Sequence, residues 1–379
     1  MLYATVATTH LGNIRANLDG VRARVCAGRP ARQVLLAIKA NAYGHGAVEV
    51  ARMVEATGCA DRLGVATVPE GLELRDAGVR LPILKLSHAL DADETRAAVE
   101  RDITLTVVDA ATIDAAEAAA AALGVRRPVH LKVDTGMRRI GCEPDAALAL
   151  CRRVDAAPHL RLEGLFSHLP ASDVPEGDAF TAAQIALFGR VAADAEAARG
   201  PIPLKHLAAS AGVLAHPDAW FDMVRPGIMA YGHLPDPATA ATVPLRPGLS
   251  WATAVSFVKP VAAGETVGYG RTWAAPRDTW IATLPVGYGD GYSRLLSNAG
   301  RVLIGGASRP IVGRVCMDQV MVDLGPGNPG RVAPGDRAVL LGPDGGEEIT
   351  AQELADLMGT ITYEVTCLVG ARVERRYAG

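Results

Sequence analysis

The sequence predicts an α/β protein, with an N-terminal (β/α)8 TIM-type barrel followed by a mostly-β C-terminal domain. From Val34 to about residue 230, short runs rich in Val, Ile and Leu alternate with Ala-rich amphipathic stretches. That alternation is the mark of parallel βα units. Eight such runs fall within about 200 residues, enough to close a barrel whose chemistry sits at the C-terminal strand ends. Helix character then nearly disappears after about residue 240.

In chain order, residues 5–8 read as a short strand and 12–24 as a helix. Barrel strands follow over 34–39, 64–68, 82–86, 103–109, 129–134, 162–168, 204–210 and 222–225. Helices are predicted over 46–56, 70–77, 91–100, 111–123, 145–154 and 181–199. An open, doubly wound sheet is the alternative, but no G-x-G-x-x-G follows the first strand. Pro235-Asp-Pro and Pro244-Leu-Arg-Pro mark a linker over 235–247. Beyond it, 249–261, 279–285, 301–304, 310–315, 320–324 and 338–341 read as strands, with one helix over 350–358. A small barrel would accommodate them. The expected division is a strand segment over 1–10 that associates with the β domain, a barrel over 11–240 and a β domain over 241–379.

Composition narrows the function classes. The 379 residues carry 38 Lys plus Arg against 41 Asp plus Glu, a net charge of −3. No basic excess exists to bind a nucleic-acid backbone or an anionic membrane. Hydrophobic residues at 49% exclude wholesale disorder. Cys26, Cys59, Cys142, Cys151, Cys316 and Cys367 are scattered, with no C-x-x-C pair. Free thiols, no metal centre and a reducing, cytoplasmic setting are therefore expected. The N-terminus has no basic, apolar leader, and no run of ~18 apolar residues appears.

The unusual polar residues fall where the predicted strands end. Lys39 lies in Ala37-Ile-Lys-Ala-Asn-Ala-Tyr-Gly-His-Gly46. Partial burial at a barrel mouth would depress its pKa and prepare it as a nucleophile or Schiff-base partner. Lys132-Val-Asp-Thr-Gly-Met-Arg-Arg-Ile-Gly141 follows strand five, His168 closes strand six, Ser210 closes strand seven and Arg225 follows strand eight. Taken singly, these residues read as ordinary structural groups. Together at C-terminal strand ends they point to chemistry. The turns Ser210-Ala-Gly and Arg225-Pro-Gly-Ile228 are suited to present backbone amides to a phosphate.

These segments, with Val267-Gly-Tyr-Gly270 and Gly313-Arg-Val-Cys-Met-Asp318, resemble the alanine racemase family across most of the chain. The resemblance implies a pyridoxal 5'-phosphate (PLP) enzyme that interconverts L- and D-alanine and supplies D-alanine for peptidoglycan. Lys39 would link to PLP and act as one acid/base. Tyr269, contributed by the partner subunit of a homodimer with shared sites, would be the second. Arg225 would bond the pyridine nitrogen, with His168 beside the ring. Tyr43, Ser210, the Gly227 and Ile228 amides and Tyr363 would hold the phosphate. Arg139 and the Met317 backbone would hold the substrate carboxylate. Lys132 matches a lysine often carried as a carbamate that steadies Arg139. Tyr288, Asp290, Arg294 and Asp318 match the substrate entryway. Arg138 and Ala209 depart from the family pattern.

The chemistry agrees with the resemblance. Racemisation removes the α-proton from one face and returns one on the other, so two bases must flank the carbon. An arginine on the pyridine nitrogen does not give up its proton, which leaves a weak electron sink. Other readings are a broad-specificity or serine racemase of the same fold, an amino-acid decarboxylase, or a non-catalytic PLP carrier. The carrier fits poorly, because such proteins lack a β domain.

Overall fold

The apolar runs of the first part of the chain do form a closed barrel. In this computed structural model, which describes residues 4–379, eight parallel strands pair in chain order: Gln33–Ala37, Arg62–Val65, Ile83–Lys85, Ile103–Val107, Arg127–Lys132, Leu160–Phe166, Leu204–His206 and Met223–Val224. The last closes on the first through Gln33↔Met223 and Val34↔Val224. Leu35, Leu84, Leu204 and Met223 pack together as one buried cluster. The outer helices bury narrow stripes: Ala110–Ala122 turns Ile113, Ala116 and Ala120 inward, at helical spacing. Thr67 and Glu70 form a capping box that starts Val68–Asp76, and Asp109 with Thr112 starts Ala110–Ala122 in the same way.

The strands are shorter than their apolar runs. Val68 opens a helix, and Asp109 is a cap rather than a strand residue. The first barrel strand stops at Ala37, the sixth at Phe166 and the seventh at His206. Lys39, His168 and Ser210 therefore lie in the turns beyond the ladder rather than in the strands. Hydropathy cannot see that boundary at the seventh strand, because the turn there is itself buried: residues Ser210–Leu214 of the short helix Ser210–Ala215 are buried on every face.

The chain divides into two compact units. One is this barrel, Ile14–Ala42 and Ala47–Arg246; the other comprises the chain up to Asn13, Tyr43–Gly46 and Pro247–Gly379. Residues 1–3 of the predicted N-terminal segment lie outside the described residues. The strand Val6–His10 pairs antiparallel with Leu249–Ala254 and parallel with Glu374–Ala378. That sheet continues through Arg337–Asp344 and Arg301–Ile304 to Ala307–Pro310. Phe257–Val261, Thr279–Leu284 and Val320–Gly325 make a second sheet. Among the described residues the β unit is thus built of open sheets, and no small barrel forms there. Trp251, Leu284, Tyr292, Val302, Val322 and Leu340 are among the residues of its core.

Two predicted strands of this unit need correction. The run 249–261 breaks between Ala254 and Phe257, and its halves join different sheets. Over 310–315 only Pro310 belongs to a strand, with Ile311 making one bridge to Val322. Gly313 there has φ +75, outside the extended region. Sequence reading also passed over the helix Thr362–Cys367 and the last strand, Glu374–Ala378, which is largely exposed and carries no apolar alternation.

Candidate active site

In the barrel unit, the site begins with an unusual turn. After Lys39 the chain runs through four consecutive left-handed residues, Ala40, Asn41, Ala42 and Tyr43, with φ between 52 and 56. Each non-glycine residue in that region costs about 1–2 kcal/mol, so the turn needs external support. Ala42 N donates to Ile38 O at 2.8 Å, and the Asn41 side chain accepts from Ala47 N at 2.8 Å. Glu70 supplies the rest. One of its oxygens caps its own helix through Ala66 N and Thr67 N, while the other accepts from Ala40 N at 2.7 Å. Glu70 thereby holds the turn carrying Lys39, a role sequence reading missed.

Lys132 ends the fifth strand and is only 5% exposed. Burial, followed by the charges of Arg225, Arg139 and Lys39, pulls its pKa down to about 8, with Asp134 opposing. Its ammonium lies 5.4 Å from the Phe166 ring centroid. The loop that follows is closed at its base by Cys142, whose N–H donates to Lys132 O and whose carbonyl accepts from Asp134 N. Asp134 caps the turn through Gly136 N and Arg138 N. Arg138 points outward and pairs with Glu143 at 2.6 Å. Arg139 is exposed. Burial pushes the Cys142 thiol up to about 12, which marks it as a packing residue.

Arg225 is almost fully buried. Its Nη1 donates to His206 Nδ1 at 2.9 Å, and its Nη2 reaches Ser167 O at 2.8 Å, Leu207 O at 3.0 Å and His168 Nδ1 at 3.1 Å. Burial lowers its pKa to about 9, which leaves it a cation at neutral pH. Burial and the charges of Arg225, Lys132, Arg139 and Lys39 hold His168 well below the ordinary histidine range, so its ring is neutral. Next to Arg225, Ser210 Oγ accepts from Gly227 N at 2.9 Å and Met229 N at 3.4 Å. Ala209 precedes this turn without a capping side chain.

The β unit carries the other predicted residues. Tyr43 is buried, with its ring centroid 6.0 Å from that of Tyr363. Burial raises its pKa, aided by Cys367. Tyr269 is 75% exposed at the tip of a turn between Gly268 (φ +73) and Gly270 (φ +72). Neither glycine conformation suits a side chain, which is the local reason for Val-Gly-Tyr-Gly. Met317 and Tyr288 are exposed, as are Arg294 and Asp318. Asp290 is fully buried: its carboxylate accepts from Gly287 N and takes Arg372 Nε at 2.7 Å. Arg372 also pairs with Asp318 at 2.7 Å. Nothing in the sequence advertised Arg372, since these partners lie 82 and 54 residues away.

Comparison with known proteins decides the family. Residues 9–235 match the alanine racemase N-terminal domain and residues 248–377 the alanine racemase C-terminal domain. This chain belongs to the alanine racemase family. An alanine racemase of Cutibacterium acnes is 51% identical over 373 residues, covering 98% of this chain and 97% of its own. That of Chlorobaculum tepidum is 45% identical, covering 97% and 94%. Among solved structures, the Clostridium difficile alanine racemase superposes with a TM-score of 0.92 at 34% identity, covering 99% and 95% of the two chains. The enzyme of Streptomyces lavendulae gives 0.91 at 36%, covering 100% and 97%. In keeping with the composition of this alanine racemase family member, no helix among the described residues is long and apolar enough to cross a membrane. No group of candidate metal ligands occurs among them either.

Proposed function

We propose that this chain interconverts L- and D-alanine by two-base α-proton exchange, with PLP as cofactor, in a homodimer whose sites are shared. The observation that carries the reading is the barrel mouth of a member of this family. Lys39, Lys132, Arg139 and Arg225 all act on His168 there, and the Ser210 hydroxyl stands beside the Gly227 and Met229 amides. Such a donor set, rich in cations, fits a phosphorylated cofactor and a carboxylate substrate.

When bound, PLP supplies the electron sink that lets the α-carbon lose its proton. Lys39 would hold it covalently and exchange a proton at Nζ on one face of the substrate. Tyr269 of the partner subunit would exchange the other at its phenol oxygen. Arg225 would donate to the pyridine nitrogen without surrendering its proton, with neutral His168 accepting from Arg225 at its side. Ser210 with the Gly227 and Ile228 amides, Tyr43 and Tyr363 would bind the phosphate. Arg139 and the Met317 backbone would hold the carboxylate, and Lys132, as a carbamate, would steady Arg139. With a pKa near 8, Lys132 has the neutral amine fraction that carbamylation requires. Tyr288, Asp290, Arg294 and Asp318 are assigned to the substrate entryway. Of these, buried Asp290 acts by bracing Arg372 and the Gly287 turn. The D-alanine formed would serve peptidoglycan synthesis in the cytoplasm.

The test is incubation with PLP and L-alanine in D2O, following D-alanine and deuterium at Cα. D-Alanine carrying α-deuterium is the expected product. Exchange without inversion would show that Lys39 works and that the opposite base does not. No exchange with PLP bound would refute the reading.

A further inference from the structure

Behind Arg225 a line of buried polar groups crosses the barrel interior, and the activity proposed above leaves it unexplained. His206 takes the Arg225 guanidinium on Nδ1 at 2.9 Å, and its Nε2 lies 2.8 Å from His130 Nδ1. His130 Nε2 is 3.1 Å from Glu163 Oε2. Both histidines are fully buried and Glu163 nearly so. Glu163 also receives Arg62 on that same Oε2 at 2.8 Å and Arg161 on Oε1 at 3.1 Å.

The end groups fix the direction of donation. A guanidinium has only donors, so His206 Nδ1 must accept, and the proton of a neutral His206 sits on Nε2. That proton is given to His130 Nδ1, which places the His130 proton on Nε2, facing a carboxylate that only accepts. Both rings are neutral, because burial lowers the pKa of each, with the Arg225 charge acting next on His206. Burial pushes the Glu163 carboxyl up, but His130 and Arg62 outweigh it and hold it at about 2. Every bond therefore runs Arg225→His206→His130→Glu163.

The backbone is built around this line. A Cβ on Gly164 would lie 2.3 Å from His130 Nδ1. The pairing of the fifth and sixth barrel strands shifts register at Val129/His130. Phe166 stacks on His206 with centroids 4.6 Å apart and planes 6° apart, which fixes the ring plane. What the packing leaves open is the tautomer.

We propose that His130 and Glu163 are positioning residues: they keep the His206 proton on Nε2, so that Nδ1 accepts from Arg225 and holds the guanidinium aimed at the barrel mouth. Apolar residues of similar volume would fill the interior without desolvating charge, so the polar line has to be explained by what it orients. The consequence for turnover rests on the assignment of Arg225 to PLP; the tautomers do not.

The experiment is nitrogen-15 NMR of histidine side chains in the full chain, without added cofactor, beside steady-state kinetics with PLP and alanine. In the wild type, both His130 and His206 should be neutral and protonated on Nε2. In His130→Leu, the buried Nε2–H of His206 loses its acceptor, so the Nδ1–H tautomer, which gives up the bond from Arg225, should become populated beside it, and kcat should fall about tenfold to a hundredfold, the size of loss seen when the partner orienting a metal-bound histidine is removed. The KM for alanine should stay near wild type. His130→Gln, whose carboxamide offers one acceptor and one donor, should restore the tautomer and most of kcat. Arg161→Gln, which touches Glu163 only from outside, should change neither. Should His130→Leu fail to fold, Glu163→Leu, which removes the acceptor at the end of the line, is read in its place. A wild-type His206 protonated on Nδ1 would overturn the proposal, as would a folded His130→Leu or Glu163→Leu variant with both tautomer and kcat unchanged. The predicted tautomers in a wild type that does not racemise alanine would support the relay and overturn the activity instead.

Discussion

Replacing Gly164 with alanine should destabilise the barrel by about 1–5 kcal/mol. Gly164 lies inside the strand Leu160–Phe166, opposite His130, and its φ lies outside the left-handed region, so alanine suits the backbone. On that ground alone, Gly→Ala should stabilise by ~0.4–1 kcal/mol through the unfolded chain. The added methyl would instead sit 2.3 Å from His130 Nδ1 and 2.6 Å from Cε1, about 1 Å inside ordinary contact. His130 would have to retreat by about that much, which lengthens its 2.8 Å bond to His206 and its 3.1 Å bond to Glu163 beyond useful range. Overpacking costs about 1–3 kcal/mol, and buried groups left unpaired add about 1–3 kcal/mol. Gly189→Ala is the matched control. That glycine lies within the helix Asp178–Arg199, and its added Cβ meets nothing within 4 Å. Alanine there should stabilise by about 1 kcal/mol. Urea unfolding of the three proteins side by side reads the difference. A Gly164→Ala variant as stable as wild type would refute the reasoning.

Other consequences follow from single contacts. In CO2-free buffer, wild-type stability relative to Lys132→Met should rise by about 3 kcal/mol between pH 8 and 10.5. In that window the unfolded chain keeps a proton that folded Lys132, with its pKa near 8, has lost; the penalty is full below pH 8 and gone above 10.5, and a flat difference would contradict it. Arg372→Ala removes the Arg372 ion pair from the buried Asp290 carboxylate, and should cost about 2–3 kcal/mol, less than a wholly buried pair because Arg372 is itself half-exposed; thermal unfolding is the measurement. Mixed dimers of Lys39→Ala and Tyr269→Phe chains should recover up to one working site, whereas each variant alone should be inactive; assembled mixed dimers without activity would count against shared sites.

The barrel was legible because parallel strands are buried on both faces and read as continuous apolar runs, here in Val34–Ala37 and Leu63–Val65. Cap chemistry is equally local, written in four residues each at Thr67–Glu70 and Asp109–Thr112, yet the apolar runs over 64–68 and 103–109 drew both caps into predicted strands. Candidate positions such as Lys39, His168, Ser210 and Arg225 were visible as polar residues closing apolar runs, although all four proved to lie past the strand ends. His130 and Glu163 carried a weak signal, each a titratable residue in mid-strand, in Val-His-Leu and Leu-Glu-Gly. Long-range partners were silent. The reach of Glu70 to Ala40 N, the Arg372 clamp on Asp290 and Asp318, and the alignment of Arg225, His206, His130 and Glu163 all join residues brought together by strand order and loop path. Periodicity encodes which face of an element is buried, so the sequence by itself determined the elements and the residue types at the barrel mouth. Which buried polar group meets which depends on register and packing across the barrel, and that only the tertiary structure decided.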